Sequence, residues 1–177
     1  MATISLAEPI SLGEGRSIRP PAGWVVSGRV ANDPLRVQPS SRVLFIPPDN
    51  ENATISWRFV DWLVGKPLFD EFRILLDIAT RLTIEDLAVF HPALIRILPE
   101  NITQASVVRL PEAGTVLALD YQVTGSGWAG HLIYAPSPEV EGEIQLLSYE
   151  GLELPYLKHL QVAMASLASF IDERLQQ

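Results

Sequence analysis

Gly125-Ser126-Gly127-Trp128-Ala129-Gly130 carries the spacing G-x-G-x-x-G, which in a dinucleotide-binding turn lets backbone approach a pyrophosphate at the N-terminus of the following helix. That chemistry needs a helix after the glycines, and here His131-Leu132-Ile133-Tyr134 has the composition of a strand. A hairpin turn, where glycine supplies positive φ, accounts for the same residues. Ser126 is no nucleophile elbow, because Thr124 stands where a glycine is required and no helix follows. The three histidines, His91, His131 and His159, include no i,i+4 pair to offer two metal ligands from one helix. With no cysteine, thiolate catalysis, disulfides and cysteine-ligated metals are excluded, and neither a metal nor a cofactor is expected. Asp120 and His131 fall on adjacent predicted strands, where a carboxylate can orient an imidazole as a general base. Such a pair on a half-exposed sheet face also forms across strands without catalytic consequence. Asn52-Ala53-Thr54 and Asn101-Ile102-Thr103 match the glycosylation sequon, which acts only on chains that enter a secretory pathway.

The formal net charge of -8, from 21 acidic and 13 basic residues with no basic block, argues against nucleic acid and anionic membrane as partners. Excess carboxylate speaks mainly to solubility, although a basic partner surface fits it too. At 177 residues with 47% apolar and 19% charged residues, the chain can fold around one core. Its first residues, Met1 to Pro9, lack the basic start and apolar run of a secretory signal. No apolar stretch approaches the roughly 20 residues that span a bilayer. The cytoplasm is the expected location.

The elements that must position these residues follow from periodicity. Residues 1–23, rich in Gly and Pro and closing on Arg19-Pro20-Pro21-Ala22-Gly23, read as an extended N-terminal arm, and 24–177 as a single domain. Strands are predicted over 24–30, 42–46 and 54–60; in the last, Ile55, Trp57 and Phe59 alternate with polar neighbours and leave the Ser56/Arg58 face partly wet. Phe69, Phe72, Leu75, Leu76, Ala79 and Leu82 then recur at helical spacing. A second helix is predicted over 83–98, capped by Thr83 and kinked or split by Pro92. Four strands follow over 102–110, 115–123, 128–135 and 143–149, too close together for crossover helices and therefore antiparallel. Tyr156, Leu160, Ala163, Met164, Leu167, Ile171 and Leu175 complete a C-terminal amphipathic helix. The fold class is α+β, a largely antiparallel sheet covered by two or three helices.

The opening Pro20-Pro21-Ala22-Gly23-Trp24-Val25-Val26 resembles the "P-x-G-W" strand of the PsbP/DcrB-like group. The ending is similar as well, through Ile144-Gln145-Leu146-Leu147-Ser148-Tyr149-Glu150-Gly151, Tyr156 and the helical Ser166-Leu167-Ala168-Ser169-Phe170. The resemblance implies an antiparallel sheet between helices and a non-catalytic binding role, since the group includes photosystem accessory subunits, a nuclear-transport regulator and chaperones for hydrophobic segments. It supplies no catalytic motif to transfer.

Trp24, Trp57, Trp62 and Trp128 sit at strand ends, where large rings either complete a core or floor a groove. With Tyr121 and Tyr134 they are the candidate binding residues. A sheet face left partly open gives an apolar groove or a dimer surface. The expected function is a protein-binding adaptor or chaperone-like module. The alternatives are a subunit of a larger assembly, or a small-ligand protein or enzyme with a pocket near Asp120 and His131.

Overall fold

The computed structural model describes residues 3–29, 42–60, 65–78, 81–137 and 142–173. Among these, β3 (Val25–Arg29), β4 (Arg42–Ile46), β5 (Ala53–Phe59), β6 (Ile102–Leu110), β7 (Gly114–Val123), β8 (Trp128–Pro136) and β9 (Ile144–Leu152) form one sheet. Its order is β3-β4-β5-β9-β8-β7-β6 and every pairing is antiparallel. The fold class is therefore α+β, as the strand spacing predicts.

Period-two alternation sorts the side chains between two cores. Ile55, Trp57, Phe59, Val116, Ile133 and Leu147 share one core with Ala163 and Leu167 of the C-terminal helix. On the opposite face Leu117, Leu119, Leu132 and Tyr134 meet Phe69, Phe72 and Leu76 of α1 (Lys66–Ile78). Burying each such side chain contributes about 1.5–3 kcal/mol before the entropy of ordering is counted. Ser56, expected on a wetted face, is only 7% exposed and shares a 2.6 Å hydrogen bond with Ser148 of β9.

Three elements differ from the sequence reading. The helix expected over 83–98 is a single turn, α2 (Ile84–Leu87), followed by a 3-10 turn at Ala88–Phe90. Thr83 caps it in a reciprocal box with Asp86, and Pro92, which cannot donate a backbone hydrogen bond, blocks continuation. Leu87, Phe90, Leu94 and Ile95 are buried all the same. The C-terminal helix is broken at His159 into α3 (Glu153–Lys158) and α4 (Leu160–Ala168). It stops where the Ser169 hydroxyl donates to the Ser166 carbonyl at 2.6 Å, so Ile171 lies in β10 (Ile171–Asp172) instead of on a helical stripe; Leu175 is outside the described residues. Finally, the segment expected as an extended arm contains a hairpin, β1 (Ile10–Gly13) and β2 (Arg16–Ile18), and β2 pairs with β10 in a second, three-stranded sheet. No helix among the described residues is long and apolar enough to cross a membrane.

Candidate functional site

The hairpin β7–β8 fixes the central geometry. Val123 pairs with Trp128 across the Thr124–Gly127 turn, where Gly125 and Gly127 take φ of 91° and 70°. Counting back along that register sets Asp120 opposite His131. His131 Nδ1 and Asp120 Oδ1 are 2.5 Å apart. The glycine motif is thus a turn, and its third glycine has a packing role: Gly130 lies opposite Tyr121, and a Cβ there would meet the Tyr121 ring at 2.3 Å. The ring crosses Gly130 to hydrogen bond with Glu150 of β9, and the Trp128 indole donates to the Tyr121 hydroxyl at 3.1 Å. Burial and the Glu150 carboxylate push the Tyr121 phenol well above its ordinary pKa, so it remains a donor.

On the other face of these strands a cleft of about 370 Å³ opens between the sheet and α3–α4. Asp120, Gln122 and Ala129 form its sheet side and Tyr156, Leu157, Leu160 and Met164 its helical wall. Thr103 enters it because the β6–β7 register shifts between Ile102 and Gln104, a bulge that turns this side chain into the cleft. Tyr156 is held flat on Tyr149, with ring centroids 4.6 Å apart and planes at 16°, and the Tyr149 hydroxyl donates to the Tyr156 carbonyl at 2.6 Å. Burial, followed by the nearby Asp120 and Glu150 carboxylates, pushes the Tyr156 phenol up to about 12.

The polarity of the Asp120–His131 pair decides its chemistry. In an Asp–His general-base pair the carboxylate is buried and the imidazole faces substrate. Here the imidazole side chain is 11% exposed, the carboxylate is 40% exposed, and of the two it is Asp120 that lines the cleft. The arrangement presents a carboxylate anchored from behind by a histidine, which suits electrostatic recognition better than proton abstraction.

The aromatic residues expected to bind are divided by burial. Trp57 and Tyr134 are 1% and 2% exposed, so their rings are core, whereas Tyr121, 4% exposed, is among the residues lining the cleft. Trp57 donates its indole N–H to Gln145 at 2.9 Å, and burial raises the Tyr134 pKa. Trp24 and Trp128 are partly exposed, Trp24 lying edge-on to His159 at 5.3 Å; Trp62 falls outside the described residues. His159 also approaches Asp49 and Glu51, and potential ligand atoms of the three lie within 4.8 Å of one another. The Lys158 ammonium is 2.6 Å from Glu51 and 3.3 Å from Asp49, so a cation of the chain already serves those carboxylates and lashes the turn before β5 to α3.

No family model matches the sequence, and no curated protein sequence matches it. In solved structures the solution structure of cyanobacterial PsbP (CyanoP) from Synechocystis sp. PCC 6803 superposes with a TM-score of 0.50 over 96% of this chain and 93% of that one, at 12% identity. The chain has a PsbP-like fold. The Ran-binding protein Mog1p of Saccharomyces cerevisiae matches with a TM-score of 0.45 and 10% identity, covering 97% of each chain. At such identities the likeness concerns the fold alone. Of the cleft's helical wall, Tyr156, Leu160 and Met164 belong to the apolar stripe legible at helical spacing, whereas Leu157 and the Thr103 bulge carried no such signal.

Proposed function

We propose that this chain is a non-catalytic protein-binding module, an adaptor or chaperone-like subunit, that holds a partner segment in the cleft between α3–α4 and the β6–β8 end of the sheet. The observation that supports this reading most is the apolar wall, where Leu157, 56% exposed, lines the cleft with half-buried Leu160 and Met164. Water-facing apolar surface is worth about 25 cal/mol per Å² to whatever covers it, and Met and Leu walls adapt to varied side chains. In this reading the aliphatic wall joins the expected Tyr121, which also lines the cleft. A small-ligand role is the competing reading, favoured by a volume within the roughly 300–1,000 Å³ range of ligand pockets.

A photo-crosslinking amino acid at Leu157 in native cells, with the same group at Glu71 on α1 as control, tests the reading. Defined protein adducts at position 157 that are missing at position 71 are expected; equal labelling at both sites overturns it. The same cells report location, for which the cytoplasm is expected, and light scattering of the purified chain tests homodimer formation.

A further inference from the structure

We infer that the cleft is selective for a partner segment that places a lysine side chain against Asp120, with apolar residues on either side of that lysine. This rests on the reading of the cleft as a protein-binding site and specifies its occupant. Among the described residues, the titratable ones lining the cleft are Asp120, Tyr121, Glu153 and Tyr156, and no Lys, Arg or His lines it. A segment that is only apolar would desolvate the acidic groups without compensation, whereas a cation would answer them. The wall of Leu157, Leu160 and Met164 opposite suits the methylene stem of a long basic side chain, which buries its carbons while its charged head stays near water.

The His131 bond decides which base. One Asp120 oxygen, Oδ1, is held by His131 Nδ1 at 2.5 Å. A guanidinium recognises a carboxylate best through a two-bonded fork that engages both oxygens; an ammonium is a point charge satisfied by one. With one oxygen occupied, the site favours lysine over arginine. His131 is a positioning residue in this scheme.

The test titrates the full chain with three labelled peptides that share a leucine-rich frame and differ at one central residue, lysine, arginine or norleucine, following fluorescence anisotropy and the amide resonances of β7 and α3. The lysine peptide is expected to bind tightest. Asp120→Asn should weaken it roughly fivefold, the scale of a partly exposed ion pair, while leaving the norleucine peptide unchanged. Asp77→Asn, on α1 far along the chain, makes the same change in net charge and should have no effect. His131→Gln, which removes the ionisable ring behind Oδ1, should narrow the preference for lysine over arginine. Norleucine binding as tightly as lysine, arginine binding tighter than lysine, or equal losses in D120N and D77N would overturn the inference while leaving a binding cleft in place. Failure of all three peptides to move any cleft resonance would overturn the underlying reading as well.

Discussion

The three-stranded sheet and the main sheet each carry one acid–base pair, and the protein treats the two in opposite ways. At the end where β9 begins, Arg16 and Asp172 are both 0% exposed, with Arg16 Nε 3.9 Å from Asp172 Oδ2. Both belong to the small sheet, which sets them against Phe59 and Gln145 of the main one. Arg16 lies over the Phe59 ring at 5.0 Å and reaches Glu14 at 3.0 Å, and Gln145 bridges Asp172 and the Trp57 indole. At the other end the Asp120–His131 pair is tighter but leaves its carboxylate 40% exposed beside a cleft. Depth of burial, not the shortness of the contact, separates them. A sealed pair has paid its desolvation cost in full and cannot be broken cheaply; a pair at a cleft mouth keeps a charge available to a partner.

The largest effect that separates the two ends is expected from Asp172→Ala, which takes a fully buried carboxylate from a fully buried guanidinium that also reaches the part-exposed Glu14. A loss of about 3–5 kcal/mol in chemical denaturation is expected, and replacing Arg16 and Asp172 together by Met and Leu should restore much of it, because neither of the two fully buried charges then remains. If the single change costs no more than the double, the sealed end is ordinary packing. Gly130→Ala comes next: the new Cβ would drive Tyr121 from its place over β8 and break its bond to Glu150, at about 1–3 kcal/mol as overpacking. Gly127→Ala, with φ of 70° but open space around the added Cβ, should cost less and only through backbone strain. Equal costs would show that Tyr121 yields to a Cβ at Gly130 without leaving its place over β8.

What the sequence disclosed and what it withheld divide along the same line. Asp120 and His131 were readable as neighbours because a short glycine turn fixes hairpin register locally. Strands such as β5 were readable because alternation at Ile55, Trp57 and Phe59 is a local pattern. The α2 segment misled because Leu87, Phe90, Leu94 and Ile95 satisfy a helical period while an irregular chain around Pro92 buries them just as well. The three-stranded sheet was invisible because it joins residues 10–18 to Ile171–Asp172, a pairing that no window along the chain contains. The cleft was hidden for a related reason: its volume depends on where α3 breaks and docks, and its Thr103 on a bulge in register.

The ends should also part under alkali. The Tyr156 phenol rises from 10.0 to about 12, first through burial, and Tyr149, stacked on it, is also raised, again first through burial. Groups whose pKa is higher in the folded state contribute stability that is complete below their unfolded pKa and is lost as pH rises through the folded value. The fold should therefore hold steady up to pH 10 and weaken between pH 10 and 12, with amide exchange in α3 rising before that in β2 and β10, where no tyrosine lies. Simultaneous loosening of both ends would place the tyrosines in the global core instead of at the cleft.

The smallest stability change and the most telling one is Asp120→Asn. Its side chain is 40% exposed, so loss of its charge should change unfolding free energy by less than about 1 kcal/mol. Asparagine keeps an oxygen that can accept from His131 while the charge is gone, so structure and charge are separated in one substitution. If denaturation midpoints of wild type and D120N coincide while the affinity for a cationic peptide falls, the carboxylate is held in the cleft for recognition. If instead D120N is destabilised as much as Asp172→Ala, the two ends are alike, and the cleft pair is as structural as the sealed one.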